Sequence, residues 1–144
     1  MFIEQILQDK GRHVATVAPT EPVRDALGIL RDHGIGALVV SHDGSGIAGI
    51  VSERDIVRAL ADRGASALDD EVGALMSTDV VTATEGATIE EMMSLMTERR
   101  IRHVPIVGDG GLLGIVSIGD VVKSRLGELE SERHHLVDYI SRGG

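Results

Sequence analysis

From Pro22 to Leu30 the apolar residues Val23, Ala26, Leu27 and Leu30 recur at the spacing of one helix face. The period then shortens. Ala37-Leu38-Val39-Val40 is a continuous apolar run, Ser41-His42-Asp43-Gly44-Ser45-Gly46 breaks it, and Ile47 to Val51 is apolar again. Two short apolar runs flanking an Asp-Gly turn predict a pair of strands. The same succession returns further on. Ile89, Met92, Met93 and Met96 mark a helix, His103-Val104-Pro105-Ile106-Val107 a strand, Gly108-Asp109-Gly110-Gly111 a turn, and Leu112 to Val116 the returning strand. Short first strands at Thr16-Val17 and Thr82-Ala83 complete two stretches that each read β-α-β-β-α.

The repetition extends to single residues. Gly49-Ile50-Val51-Ser52-Glu53-Arg54-Asp55 returns as Gly114-Ile115-Val116-Ser117-Ile118-Gly119-Asp120, and the following Ile56-Val57-Arg58 as Val121-Val122-Lys123. Upstream, Thr16 aligns with Thr82, Val23 with Ile89, Leu30 with Met96 and Ile35 with Ile101, with one residue of slack in the turn. Ile6-Leu7 and Leu75-Met76 precede their copies at a similar interval. Ser52 and Ser117 each stand where a hydroxyl would accept from an orphan N–H at the start of a helix.

A unit of roughly 60 residues buries too little surface to be comfortably stable alone. The chain is therefore expected to be an α+β (or α/β) fold in which two units share a core about a pseudo-two-fold axis. The expected divisions are residues 1–70, a first unit with an N-terminal helix and linker, 71–124, a second unit, and 125–144, a helical extension. In that extension Val122, Leu126, Leu129, Leu136 and Ile140 keep close to heptad spacing, interrupted by Arg133. Such a stripe must be covered, either by a second copy of the chain in a homodimer or by the chain's own domain.

Composition narrows the chemistry. A net charge of −9 argues against nucleic acid as a direct partner, because phosphate backbones need a basic face. With no cysteine there is no disulfide or thiol chemistry, and with one Tyr, one Phe and no Trp there is no platform for stacking bases. Glu4 stands where a signal peptide wants basic residues, and no apolar run approaches the roughly 20 residues of a membrane span, so a cytoplasmic protein without membrane contact is expected. His134 and His135 are adjacent, but neighbours on a helix diverge by about 100° and do not share one ion readily. No metal site, no obligatory cofactor and no catalytic residue is expected, since nothing assembles an acid, a base and a nucleophile.

The tandem β-α-β-β-α unit, the doubled Gly-Ile-Val-Ser-x-x-Asp and the run Arg100-Ile101-Arg102-His103-Val104-Pro105-Ile106-Val107 resemble the CBS domain, named after cystathionine β-synthase. The likeness covers Ile3 to about Lys123 and is nearest to small bacterial CBS-pair proteins that lack an attached enzyme or transporter. It implies a Bateman-type module with a cleft between units for an adenosyl ligand such as AMP, ADP, ATP, NAD(H) or S-adenosylmethionine, and dimers that form a flat four-unit disc. Carried onto this chain, it implies ligand contacts from Thr16, Val17, Ser52, Arg54, Asp55, Thr82, Ala83, Arg102, His103, Pro105, Ser117 and Asp120.

Physical reasoning supports part of that set. An Asp one turn after the Ser is placed to accept from both hydroxyls of a ribose, while Ser and exposed N–H groups meet ribose or phosphate oxygens. The competing role for Asp55 and Asp120 is to stabilise their own helices. Arg102 and Arg54 carry planar forks suited to phosphate, and in opposite units they could converge on one ligand. Arg99, Arg100 and Arg102 could equally form a surface cluster, and His103 a solvated strand end. The expected function is a non-enzymatic sensor that converts nucleotide binding into a change of shape, oligomer or contact with a protein target, with the helix from Val121 to Ile140 as output. A ligand-free assembly scaffold and a nucleotide hydrolase are the alternatives.

Overall fold

The computed structural model describes residues 1–143. The first unit contains β1 (Thr16–Val17), α2 (Val23–His33), β2 (Ala37–Val40), β3 (Gly49–Ser52) and α3 (Glu53–Arg63), after α1 (Ile3–Lys10). A 3₁₀ turn (Gly64–Asp69) and the one-turn α4 (Val72–Leu75) lead to α5 (Ile89–Arg99), β4 (His103–Gly108), β5 (Gly111–Ser117) and the 24-residue α6 (Ile118–Ser141). β1 runs parallel to β2, and β2 antiparallel to β3. β4 and β5 repeat the antiparallel pair.

The first strand of the second unit shrinks to a single parallel bridge between Ala83 and Ile106. There the Ala83 N–H donates to the Pro105 carbonyl (3.1 Å) and the Val107 N–H to the Ala83 carbonyl (2.9 Å). The next rung upstream would need an N–H from residue 105, and proline has none. At the matching position the first unit has Val39, which pairs with Thr16.

Packing crosses the units. Ile3, Ile6 and Leu7 of α1 lie in one core with Ile89, Met92, Met96, Val104, Ile106, Val116 and Val121 of the second unit. Val72 of α4 lies in the other core with Val17, Val23, Leu30, Leu38, Val40, Val51 and Ile56 of the first. Each unit thus covers its sheet with the helix that precedes the other unit in sequence. Ile3 and Leu7 are fully buried, which stabilises by about 1.5–3 kcal/mol apiece, so neither core is complete without its neighbour. The two glycines that open the repeated string make the exchange possible: a Cβ on Gly49 would stand 2.7 Å from both the Met76 sulfur and the Ser77 carbonyl, and one on Gly114 would stand 2.6 Å from a Leu7 methyl.

The hairpin turns of the two units also meet, the Leu112 N–H donating to the Ser45 carbonyl at 3.0 Å. Asp43 braces the first turn by accepting from the Ser45 and Gly46 N–H groups, which hold its carboxyl down at about 2. Beyond Val121, α6 leaves the core. Val122, Leu126, Leu129, Leu136, Val137, Tyr139 and Ile140 are 44–67% exposed along it. Among the described residues, no helix is long and apolar enough to cross a membrane.

Candidate functional site

Ser52 and Ser117 cap their helices as their positions predict, and the local geometry is duplicated. The Asp55 N–H donates to Ser52 Oγ (3.3 Å) while Asp55 Oδ2 accepts from the Ser52 N–H (2.8 Å) and hydroxyl (2.9 Å). In the second unit the Asp120 N–H donates to Ser117 Oγ (3.1 Å) and Asp120 Oδ2 accepts from the Ser117 N–H (2.9 Å). These reciprocal bonds satisfy helix-start donors and anchor both carboxylates. Just beyond each cap, the first helical N–H reaches across to the loop before β2 or β4. Glu53 donates to the Gly36 carbonyl at 3.0 Å and Ile118 to the Arg102 carbonyl at 2.8 Å.

The surroundings of the two motifs differ. Ser52, Arg54 and Asp55 line a cavity of about 350 Å³, together with Arg58 of α3, Asp79 to Val81 before the second unit, and Arg100 to His103 at the start of β4. The cavity lies between units. Arg54 and Arg58 are one turn apart on the same face of α3, and Arg100 and Arg102 come from the other unit. Among the described residues, none of these four guanidinium groups pairs with an acid, whereas Arg12, Arg24, Arg31, Arg63 and Arg125 all do. The carboxylates of Glu53, Asp55 and Asp79 line the same hollow, so the four guanidinium groups leave it a formal excess of one positive charge in a chain of net charge −9.

Arg100 holds an unusual backbone. It ends α5 with φ 54°, the one non-glycine residue with positive φ among those described. The matching residue at the end of α2 is Gly34, φ 62°, which adopts this region without a Cβ penalty. His103 lies at the meeting point of the units, its ring 3.5 Å from where a Cβ on Gly36 would be. Burial, and secondarily the positive charges of Lys10 and Arg102, depress its pKa below the usual imidazole value, against the pull of Asp120 and Glu53.

Asp120 stands differently. Lys10 Nζ lies 2.6 Å from Asp120 Oδ2 and donates also to the Ile115 carbonyl at 2.8 Å. Burial opposes ionisation of Asp120, but the bonds from Lys10 and Ser117 outweigh it and hold the carboxyl below the usual range.

The structure therefore brings together five of the residues named from the sequence: Ser52, Arg54, Asp55, Arg102 and His103. Thr16 and Val17 line a separate hollow of about 500 Å³ beside α2. Thr82 lies one residue beyond the arginine-lined cavity, and Ala83 and Pro105 are joined in the single bridge of the second sheet. Ser117 caps α6, and Asp120 borders a groove between α1 and α6. Sequence reasoning passed over Arg58 and Asp79 and left Arg100 open. Arg58 was detectable from its one-turn offset to Arg54, and Arg100 from its alignment with a glycine. Among the described residues, no group of three or more His, Asp or Glu is placed to hold a metal ion.

A pair of β-α-β-β-α units that exchange helices and enclose a cationic cleft at their junction defines a tandem two-unit module. The family model of the CBS domain matches residues 7–62 and again 72–127. The chain belongs to the CBS domain family, as a tandem pair. A crystal structure of a CBS-domain containing protein from Agrobacterium tumefaciens superposes with a TM-score of 0.84 at 43% identity, over 87% of this chain and 99% of that one. A mitochondrial CBS domain-containing protein of Arabidopsis thaliana is 35% identical over 98% of this chain and 72% of its own length. A CBS domain pair solved in complex with 5′-methylthioadenosine and S-adenosyl-L-methionine has a TM-score of 0.78 at 25% identity, covering 89% of this chain and 98% of that one.

Proposed function

We propose that this chain is a non-enzymatic regulatory module of the cytoplasm that binds one adenosine-containing nucleotide, AMP, ADP, ATP or NAD(H), in the cleft between its units. The observation that carries this reading is the convergence of unpaired Arg54, Arg58, Arg100 and Arg102 on a hollow that also holds the capped Asp55. Guanidinium forks suit phosphate oxygens. The Asp55 carboxylate uses one oxygen for its cap, leaving acceptor capacity for a ribose diol. The related CBS pair with two bound adenosyl compounds supports the ligand class.

Binding changes the balance of states only if the ligand prefers one of them. Arg54 and Arg58 lie on α3, Arg100 and Arg102 on the other unit, so an anion drawing on both sets favours a closed junction. α6 starts at the other copy of the motif and is the proposed output. Its exposed stripe, in which Val122, Leu129 and Leu136 fall on one heptad row and Leu126 and Ile140 on the next, suits a self-complementary homodimer. A protein target could dock on the same face.

The test is calorimetry and thermal unfolding with AMP, ADP, ATP, NAD and S-adenosylmethionine. Wild type should bind at least one of the first four, and Asp55→Ala and Arg102→Ala should each weaken that binding. Indifference of the wild type to the whole panel would sink the reading and leave an assembly role. Light scattering of Leu129→Glu tests the homodimer, which should fall to monomer.

A further inference from the structure

The second motif has the same local geometry as the first, and a built-in occupant. Ile115 is the counterpart of Ile50, which lines the arginine-rich cavity, and Asp120 is the counterpart of Asp55. Between them sits the Lys10 ammonium, 2.8 Å from the Ile115 carbonyl and 2.6 Å from the Asp120 carboxylate. It comes from the end of α1, the helix that Gly114 admits onto the second unit. The helix admitted by Gly49, α4, is only one turn long and ends at Leu75. No cation from it reaches Asp55, and among the described residues Asp55 forms no ion pair. We propose that Lys10 is an internal plug that closes the Asp120 cleft, so that the chain binds one ligand where its duplicated sequence offers two clefts.

The physical reason is competitive. A ribose diol would reach the Asp120 carboxylate with neutral donors, whereas the Lys10 ammonium, 2.6 Å from Oδ2, adds the attraction of a full opposite charge to its hydrogen bond. The ammonium is also tethered, so it acts at high effective concentration, whereas a free ligand loses translational freedom on entering. The Lys10 and Asp120 side chains are 35% and 26% exposed, which keeps the pair partly screened from water.

The walls of this cleft define what it would take if opened. The counterparts of Arg54, Arg100 and Arg102 are Gly119, Gly34 and Gly36, and only Arg58 keeps a cationic counterpart, Lys123. With three of four guanidinium groups missing, the opened cleft favours an uncharged nucleoside over a nucleotide. The inference rests on the reading of Asp55 as a ribose ligand, carried to its copy.

The experiment uses the full chain and adenosine as the probe, with the first cleft weakened. Asp55→Ala should bind adenosine and AMP about tenfold to a hundredfold more weakly than wild type, and what binding remains should not depend on Asp120. Asp55→Ala/Lys10→Ala should gain one adenosine per chain, with AMP at least tenfold weaker, and adding Asp120→Ala should abolish that gain. Lys10→Met, which keeps the aliphatic stem, should behave as Lys10→Ala, and a cooperative melt verifies folding in each variant. Adenosine or AMP binding to Asp55→Ala that requires Asp120 would overturn the plug, because the cleft would be open with Lys10 in place. So would a folded double variant that takes no adenosine with either Lys10 substitution. Failure of the parent reading looks different: the wild type ignores AMP, or binds it equally well with Asp55→Ala.

Discussion

Asp55 and Asp120 close the two copies of one repeated string, complete the same capping box with Ser52 and Ser117, and yet meet different cations: unpaired guanidinium groups across an open hollow in one case, a directly bonded ammonium in the other. Asp55 faces a hollow edged by four unpaired guanidinium groups, and Asp120 is held by a lysine delivered from the far end of the chain. The difference teaches that Gly-h-h-Ser-x-x-Asp is first a device for starting a helix on a strand. What the spare carboxylate capacity then does depends on the element packed opposite. α1 runs a full turn longer than α4, and that turn brings Lys10.

The sharpest way to break the comparison is to remove each acid. Asp55→Ala should weaken nucleotide binding by about tenfold to a hundredfold, in line with the ~1.5–3 kcal/mol of a hydrogen bond to a charged group, and Asp120→Ala should leave it nearly unchanged. Equal losses measured by calorimetry would mean that the two clefts are equivalent. Both variants keep the Ser cap but lose the reciprocal bond to its N–H, which should cost about 1 kcal/mol of stability, so unfolding curves separate structure from binding.

Next come the glycines that admit the exchanged helices. Gly49→Ala forces a methyl against the backbone carbonyl of Ser77, which cannot retreat, while Gly114→Ala meets only the end of the Leu7 side chain. Both should destabilise, within about 1–3 kcal/mol, with Gly49→Ala the costlier in urea titrations.

A smaller effect of opposite sign is expected at Arg100. A glycine in its place would relieve a left-handed conformation that costs about 1 kcal/mol, so Arg100→Gly should raise the melting temperature while weakening binding of AMP. A variant that loses stability would show that the guanidinium group serves packing and not an anion.

The gentlest probe is pH. The folded protein holds His103 below the ordinary 6.5, so the unfolded chain takes up its proton first. The stability linked to this group is full above pH 6.5 and declines as pH falls toward the depressed folded value. A phosphate among Arg54, Arg100 and Arg102 would draw the proton back, and AMP affinity in wild type should rise below pH 6.5 more than in His103→Gln. Parallel pH profiles would remove His103 from the anion's surroundings. Lys10, Asp120, Glu53 and Arg102 bear on the same ring, so the comparison with His103→Gln is the informative one.

By itself the sequence determined the repeat, the order of elements in each unit and the two caps. These depend on short-range periodicity and on which residues accept from the first turn of a helix, both local properties. It also made Arg54 and Arg102 candidates for one ligand, since a two-fold relation was implied by the duplication. Only the tertiary structure decided which unit each leading helix covers, because Ile3 and Leu7 would be equally apolar against either sheet. It alone set Thr16 and Val17 beside another hollow and put Lys10 on Asp120. Those outcomes depend on contacts between residues far apart in the chain, Lys10 with Asp120 among them, and no local pattern encodes such a distance.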